Sequence, residues 1–139
     1  MRYLGLDLGN RTVGIAISDG LGIIATGVET YRFKEKDLQN ALNYVKIIID
    51  DRKVDIVVLG LPKNMDGSLG FQSEYVLEFK KMLEELGVKV ELFDERLTTM
   101  QVTRVMIDAD LSRQKRKKEV DKLAAVVILQ SYLDFINKK

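Results

Sequence analysis

Among its 139 residues the chain has no histidine and no cysteine, so any chemistry must rest on carboxylates, lysines, hydroxyls or a bound cofactor. Without imidazole it lacks the commonest general base and the commonest zinc ligand. Without thiols it has no disulfide, no sulfur nucleophile and no thiolate metal site. Hard, oxygen-ligated cations such as Mg²⁺ or Mn²⁺ are the metals its side chains suit.

Three acids stand where acids are costly. Asp7 lies inside an apolar strand pattern, Tyr3-Leu4-Gly5-Leu6-Asp7-Leu8-Gly9, with Leu6 and Leu8 on one side and Gly5 sharing its own. A mid-strand carboxylate is unfavourable unless paired, hydrogen-bonded or bound to metal. Glycines at 5, 9 and 14 are read as clearing space around it. The competing reading is an acid on an exposed edge, or one paired with Arg11. Glu95 follows another strand pattern, in Leu92-Phe93-Asp94-Glu95-Arg96-Leu97-Thr98-Thr99. Two acids at a strand's carboxyl end suit an active-site rim, yet acids also favour helix starts and Thr98 suits a cap. The local sequence leaves both readings open. Asp121 heads a stripe with Ala125, Ile128 and Tyr132, the series that should face the core, so an acid leads an otherwise apolar face. A first-turn acid also complements the helix dipole, but a dipolar role is met as easily on the solvent side.

Next to Asp121 runs a basic segment, Arg113, Lys115, Arg116, Lys117, Lys118 and Lys122. Alone it reads as a solvated loop; beside a carboxylate site it suits a phosphate backbone. Arg11, Lys63 and Arg104 are candidates to extend it. The net charge of only +1 means that any nucleic-acid contact must come from such a local patch.

The elements that position these residues follow from periodicity. Residues 2–8, 13–18 and 23–30 read as strands joined by the turns at Gly9-Asn10 and Gly20-Leu21-Gly22. Residues 35–51 carry Leu38, Leu42, Val45 and Ile49 at helical spacing, and 54–59 is a β-branched run of the kind buried in parallel sheets. A helix over 71–86 stops at Gly87, a strand covers 88–93, and helices follow over 97–109 and 119–136. This order predicts an α/β fold: a mixed five-stranded sheet, three antiparallel strands then two parallel, with helices on both faces. Ligands of such sheets gather at the carboxyl ends of the parallel strands. With 46% hydrophobic and 31% charged residues, the chain reads as one soluble domain over 1–139. No bilayer-length apolar run and no signal-peptide layout appear, so a cytoplasmic protein is expected.

Some matches in letters lack their mechanism. Gly20-Leu21-Gly22-Ile23-Ile24-Ala25 fits a dinucleotide fingerprint but joins two strands, and Asn10-Arg11-Thr12 is a glycosylation sequon in a chain without a secretory signal. The stretch from Gly60 to Gly70 has no phosphate-binding Gly-Lys-Ser/Thr ending.

Four segments together carry a resemblance: Gly5 to Gly9 running into Val13 to Asp19; Gly60-Leu61-Pro62-Lys63-Asn64-Met65-Asp66-Gly67-Ser68; Asp94 to Thr99; and Val120 to Ala125 leading into Ile128 to Leu133. In this order they resemble the YqgF/RuvX family, described as Holliday junction resolvases and as nucleases maturing the 5′ end of pre-16S ribosomal RNA. The resemblance implies an RNase H-like fold and a metal-dependent nuclease in which Asp7, Glu95 and Asp121 hold two Mg²⁺ or Mn²⁺ ions. Asp94 is the alternative second ligand. Many RNase H-like members carry their second acid at the end of the fourth strand, where this chain has Leu59-Gly60-Leu61-Pro62.

On this reading Arg96 and the basic segment hold the phosphates of a structured RNA or branched DNA, and residues 62–71 form a substrate-contacting flap. The protein is expected to act as monomer or homodimer, away from membranes. Two rivals differ in class. The actin and sugar-kinase ATP-binding fold shares the Asp-x-Gly strand but closes two domains around its nucleotide. A non-catalytic nucleic-acid-binding module would have little reason to keep three mutually repelling carboxylates.

Overall fold

The computed structural model describes residues 1–63, 66–94 and 113–137, with only the backbone described over 113–122. Its elements run β1 (Tyr3–Leu8), β2 (Thr12–Ser18), β3 (Ala25–Arg32), α1 (Leu38–Arg52), β4 (Ile56–Leu61), α2 (Phe71–Glu85), β5 (Lys89–Asp94) and α3 (Arg113–Ile136). The five strands form one sheet in the order β3-β2-β1-β4-β5. β1 pairs antiparallel with β2 and parallel with β4, β2 pairs antiparallel with β3, and β4 runs parallel to β5. The expected architecture is therefore the observed one. No helix among the described residues is long and apolar enough to cross a membrane.

Side-chain alternation splits the sheet into two unlike faces. Leu4, Leu6 and Leu8 of β1, Val13 and Ile15 of β2, and Val57, Leu59 and Leu61 of β4 pack with Ala41, Val45 and Ile49 of α1 and Val76, Phe79 and Leu83 of α2. On the other face Tyr3, Ala16, Ile56 and Val58 meet Ala125, Ile128, Leu129 and Leu133 of α3.

The boundaries depart from expectation where side chains intervene. β3 starts at Ala25 rather than 23, because the Asp19 carboxylate accepts hydrogen bonds from the Ile23 and Ile24 N–H groups and draws both residues into the turn. α1 starts at Leu38 rather than 35, because Asp37 caps it, its carboxylate accepting from Asn40 N–H at 3.1 Å. Val54 is no part of β4, since its N–H bonds the Ile49 carbonyl at the end of α1. α3 begins at Arg113, six residues before the expected 119, so the basic segment is helical rather than a loop. Gly87, at φ +84°, ends α2 as its position predicted. The expected helix over 97–109 lies outside the described residues.

Candidate active site at the carboxyl end of β1

β1 is the middle strand of five, so Asp7 does not sit on an edge. Its Cα partner on β2 is Gly14, and on the β4 side the pair Leu6 and Leu59 leads next to Asp7 and Gly60. Asp7 is half-buried and on the α3 face, because Gly5, two residues before it, lies against α3. Arg11, the cation considered as its partner, makes an exposed ion pair with Glu35 at 3.4 Å.

Contacts down this face fix the direction of α3. The Tyr3 and Tyr132 rings lie 5.8 Å apart, while Gly5 lies under Leu129 and Ala125. As β1 advances towards Asp7, the residues of α3 above it fall in number, so helix and strand run antiparallel. A Cβ on Gly5 would stand 2.7 Å from Leu129 Cβ and 3.1 Å from the Ala125 carbonyl oxygen. That corrects the sequence reading of this glycine: it does not clear space for a ligand but lets α3 ride directly on the β1 backbone. Gly9 is likewise closed in, a Cβ there meeting Thr12 Oγ1 at 3.1 Å.

At the neighbouring strand ends, Asp94 pairs in register with Leu61 and its carboxylate lies 4.0 Å from Lys63 Nζ. Leu61 and Leu92 belong to the α1/α2 face, whereas Phe93 packs on the α3 side. Asp94 therefore faces away from Asp7. Lys63, a candidate for the phosphate patch, is engaged with Asp94 and about one-third exposed.

Glu95 and Arg96 lie outside the described residues, as do Thr98, Thr99 and Arg104. Asp121 falls within α3, one turn before Ala125, with Arg113, Lys115, Arg116, Lys117, Lys118 and Lys122 on the same helix, all described by backbone alone. Among the described residues no three acids come together as a cation site. The donor that is described, a half-buried carboxylate opposite Gly14 in a chain with no competing imidazole or thiol, suits a hard divalent cation.

The turn expected from Gly20-Leu21-Gly22 is indeed a strand-to-strand turn, with Gly22 at φ +70°, and it is tied to α3. Gln130 donates to the Ile23 carbonyl and accepts from Ala25 N–H, and Asn137 donates to the Gly22 carbonyl. Sequence reasoning missed one link at the site's rim: Gln72 at the start of α2 donates to the Leu8 carbonyl at 3.1 Å. A glutamine in a first helical turn carries no signal for that contact.

Against known proteins, the family model for RuvX, described as Holliday junction resolvase, matches residues 1–135. The chain belongs to the RuvX family. A relative from Clostridium botulinum (strain Hall), named "Putative pre-16S rRNA nuclease", is 55% identical over 99% of this chain and 100% of its own. A Clostridium kluyveri protein of the same name is 52% identical over the same shares. Among solved structures, Thermus thermophilus RuvC bound to a Holliday junction superposes with TM-score 0.60 at 14% identity, covering 99% of this chain and 97% of that one. The fowlpox virus Holliday junction resolvase gives TM-score 0.56 at 16% identity, over 98% and 99%. These likenesses establish the RNase H-like fold, and RuvX membership makes the chain a nuclease that hydrolyses phosphodiester bonds.

Proposed function

We propose that this RuvX nuclease is divalent-metal-dependent, that Asp7, Glu95 and Asp121 hold the cations, and that its cytoplasmic task is trimming the 5′ end of pre-16S ribosomal RNA. The observation that carries the site is the descent of α3 along β1. Two strand residues advance about 6.6–6.8 Å and a helical turn rises about 5.4 Å. Starting from Leu129 and Ala125 over Gly5, that advance corresponds to about one turn earlier on the helix, which supports Asp121 as the partner of Asp7. Of the two acids Asp94 and Glu95, Asp94 faces the α1/α2 side and away from Asp7, which favours Glu95 as the third acid.

In this reading the three carboxylates repel one another until a cation neutralises them, which favours cation binding. The chemistry supplied by a bound divalent pair is activation of the attacking water and stabilisation of the leaving oxygen. Arg96, Arg113, Lys115, Arg116, Lys117, Lys118 and Lys122 hold phosphates and set register without reading sequence. Because the chain's net charge is only +1, this local group supplies the attraction that the whole molecule lacks.

The RNA assignment rests on the names of the 52–55% identical relatives. Paired cuts at a four-way junction require two sites related by a two-fold axis, whereas trimming an RNA end requires one. The deciding experiment is cleavage of labelled pre-16S RNA and of a four-way DNA junction with Mg²⁺, Mn²⁺ or chelator, beside Asp7→Asn. Metal-dependent cutting of the RNA that vanishes in the variant is expected. Preferential junction cutting by a dimer would replace the RNA assignment, and tight binding without cutting under every condition would sink the catalytic one.

A further inference from the structure

A cleft of about 360 Å³ opens on the side of the sheet's rim away from Asp7, where the β1–β2 turn, the β3–α1 loop and the start of α2 meet. That volume falls in the range of small-ligand sites, about 300–1,000 Å³. Phe71 lines it and is 93% exposed, the most exposed large apolar side chain among the described residues. Tyr75 also lines it, and its hydroxyl is buried and makes no hydrogen bond among the described residues. A buried hydroxyl left unpaired is costly, so it marks a place where an incoming atom completes the pair. Burial, then the charges of Glu78 and Asp37, push the Tyr75 hydroxyl above its ordinary pKa and keep it a donor.

We propose that this cleft holds one unpaired nucleobase of the substrate strand, with Phe71 stacked on the ring and Tyr75 and Gln72 hydrogen-bonded to its edge. The inference rests on the nuclease reading and extends it to how the strand is gripped. The charges select a base rather than a phosphate: among the described lining residues, Glu74 and Glu78 stand against one cation, Lys36. Carboxylates repel phosphate but accept from the ring and exocyclic N–H groups of a base. Gln72 has its amide N–H committed to the Leu8 carbonyl, which fixes the side chain with its oxygen as the acceptor. Stacking on an exposed aromatic is tolerant of base identity, as gripping a single strand requires.

The cleft is also suitably placed. Asn10, at its wall, follows Asp7 by three residues, a reach of at most about 11 Å along extended chain. A strand crossing the rim at Gly9 and Asn10 passes from the cleft on one face to Asp7 on the other.

The test is fluorescence anisotropy in EDTA with a short labelled single-stranded RNA and a fully abasic strand of equal length, for wild type, Phe71→Ala and Tyr75→Phe. Mg²⁺-dependent cleavage is assayed in parallel. Phe71→Ala should bind the RNA roughly 5- to 150-fold more weakly and the abasic strand as tightly as wild type. Tyr75→Phe should give a smaller loss, again confined to the base-bearing strand. Equal losses on both strands, or none on either, overturn the base site. The two readings fail separately. Unchanged binding with cleavage retained removes the cleft and leaves the nuclease, whereas a base-selective loss in a protein that never cleaves keeps the cleft and removes the nuclease.

Discussion

The two faces of the sheet are built from the same strands and do opposite work. Towards α1 and α2, β1 presents Leu4, Leu6 and Leu8, a uniform leucine row in a core shared by two helices. Towards α3 it presents Tyr3, Gly5 and Asp7, which grade from aromatic to bare backbone to acid under a single helix. The first face is replaceable in kind, since volume and apolarity are what it supplies. The second is specified residue by residue, because the aromatic fixes one end of α3, the glycine sets its height and the acid lies where the helix reaches the rim. The larger apolar core lies on the first face, and the mid-strand charge lies on the other.

Adjacent residues 6 and 7 test this division most sharply. Asp7→Asn removes a charge from the α3 face, and cleavage should fall on the order of 10³-fold, as for loss of several kcal/mol of transition-state stabilisation. Its circular dichroism should stay native. Leu6, fully buried, is its mirror case. Leu6→Ala should lower unfolding free energy by about 2–5 kcal/mol in urea titration. Specific cleavage per folded molecule should stay within a few-fold of wild type. If Leu6→Ala lost cleavage as deeply as Asp7→Asn while folded, the two faces would not be separate in function.

Gly5 is the next most informative position, because it belongs to β1 yet acts through α3. A methyl group there meets Leu129 Cβ at 2.7 Å, and overpacking of this kind costs about 1–3 kcal/mol. The strand is central and its backbone is paired on both sides, so the helix must give way. Gly5→Ala should therefore lose cleavage beyond what its stability loss explains, and the Tyr3–Tyr132 contact should loosen, seen as a change in tyrosine fluorescence. A variant destabilised by that amount but with normal cleavage would mean that the height of α3 does not matter to the site.

Much of this was legible in the sequence, and what was not has identifiable causes. The mid-strand acid, the β-branched run of β4 and the stop at Gly87 follow from local pattern, so the sheet, its mixed pairing and the place of Asp7 within a strand are legible directly. The start of β3 could not, because it depends on one Asp19 oxygen reaching four and five residues ahead. Gly5 stands out in the sequence but its role does not, since strand alternation says which face a residue takes and not what covers that face. The helical state of the basic segment was hidden because lysine and arginine suit a solvated loop and an exposed helix equally well. Phe71 reads as the first apolar residue of a helix, and only the fold reveals that it points into water.

The smallest effect concerns the far end of the α3 face. There the 19–24 turn is clamped to α3 by Gln130 and Asn137 and internally by Asp19, whose carboxylate accepts from Ile23 N–H at 2.7 Å and Ile24 N–H at 3.1 Å. Those two hydrogen bonds, Ile23 foremost, hold the Asp19 carboxyl below its ordinary 3.8. A carboxyl whose pKa is depressed on folding stabilises the fold above its unfolded pKa, and the contribution is lost as pH falls through the folded value. Asp19→Asn keeps an acceptor oxygen but neither charge nor titration. The urea midpoint of wild type should therefore exceed that of the variant slightly at neutral pH. The gap should close as pH drops below 3.8 and be gone once Asp19 is protonated in the folded state. The carboxylate is fully exposed and screened, so the gap is a fine adjustment of this face, well short of the Leu6 or Gly5 effects. A gap that persists unchanged into acid would mean that the turn is held by the geometry of the Gln130 and Asn137 clamps, with the Asp19 charge contributing nothing.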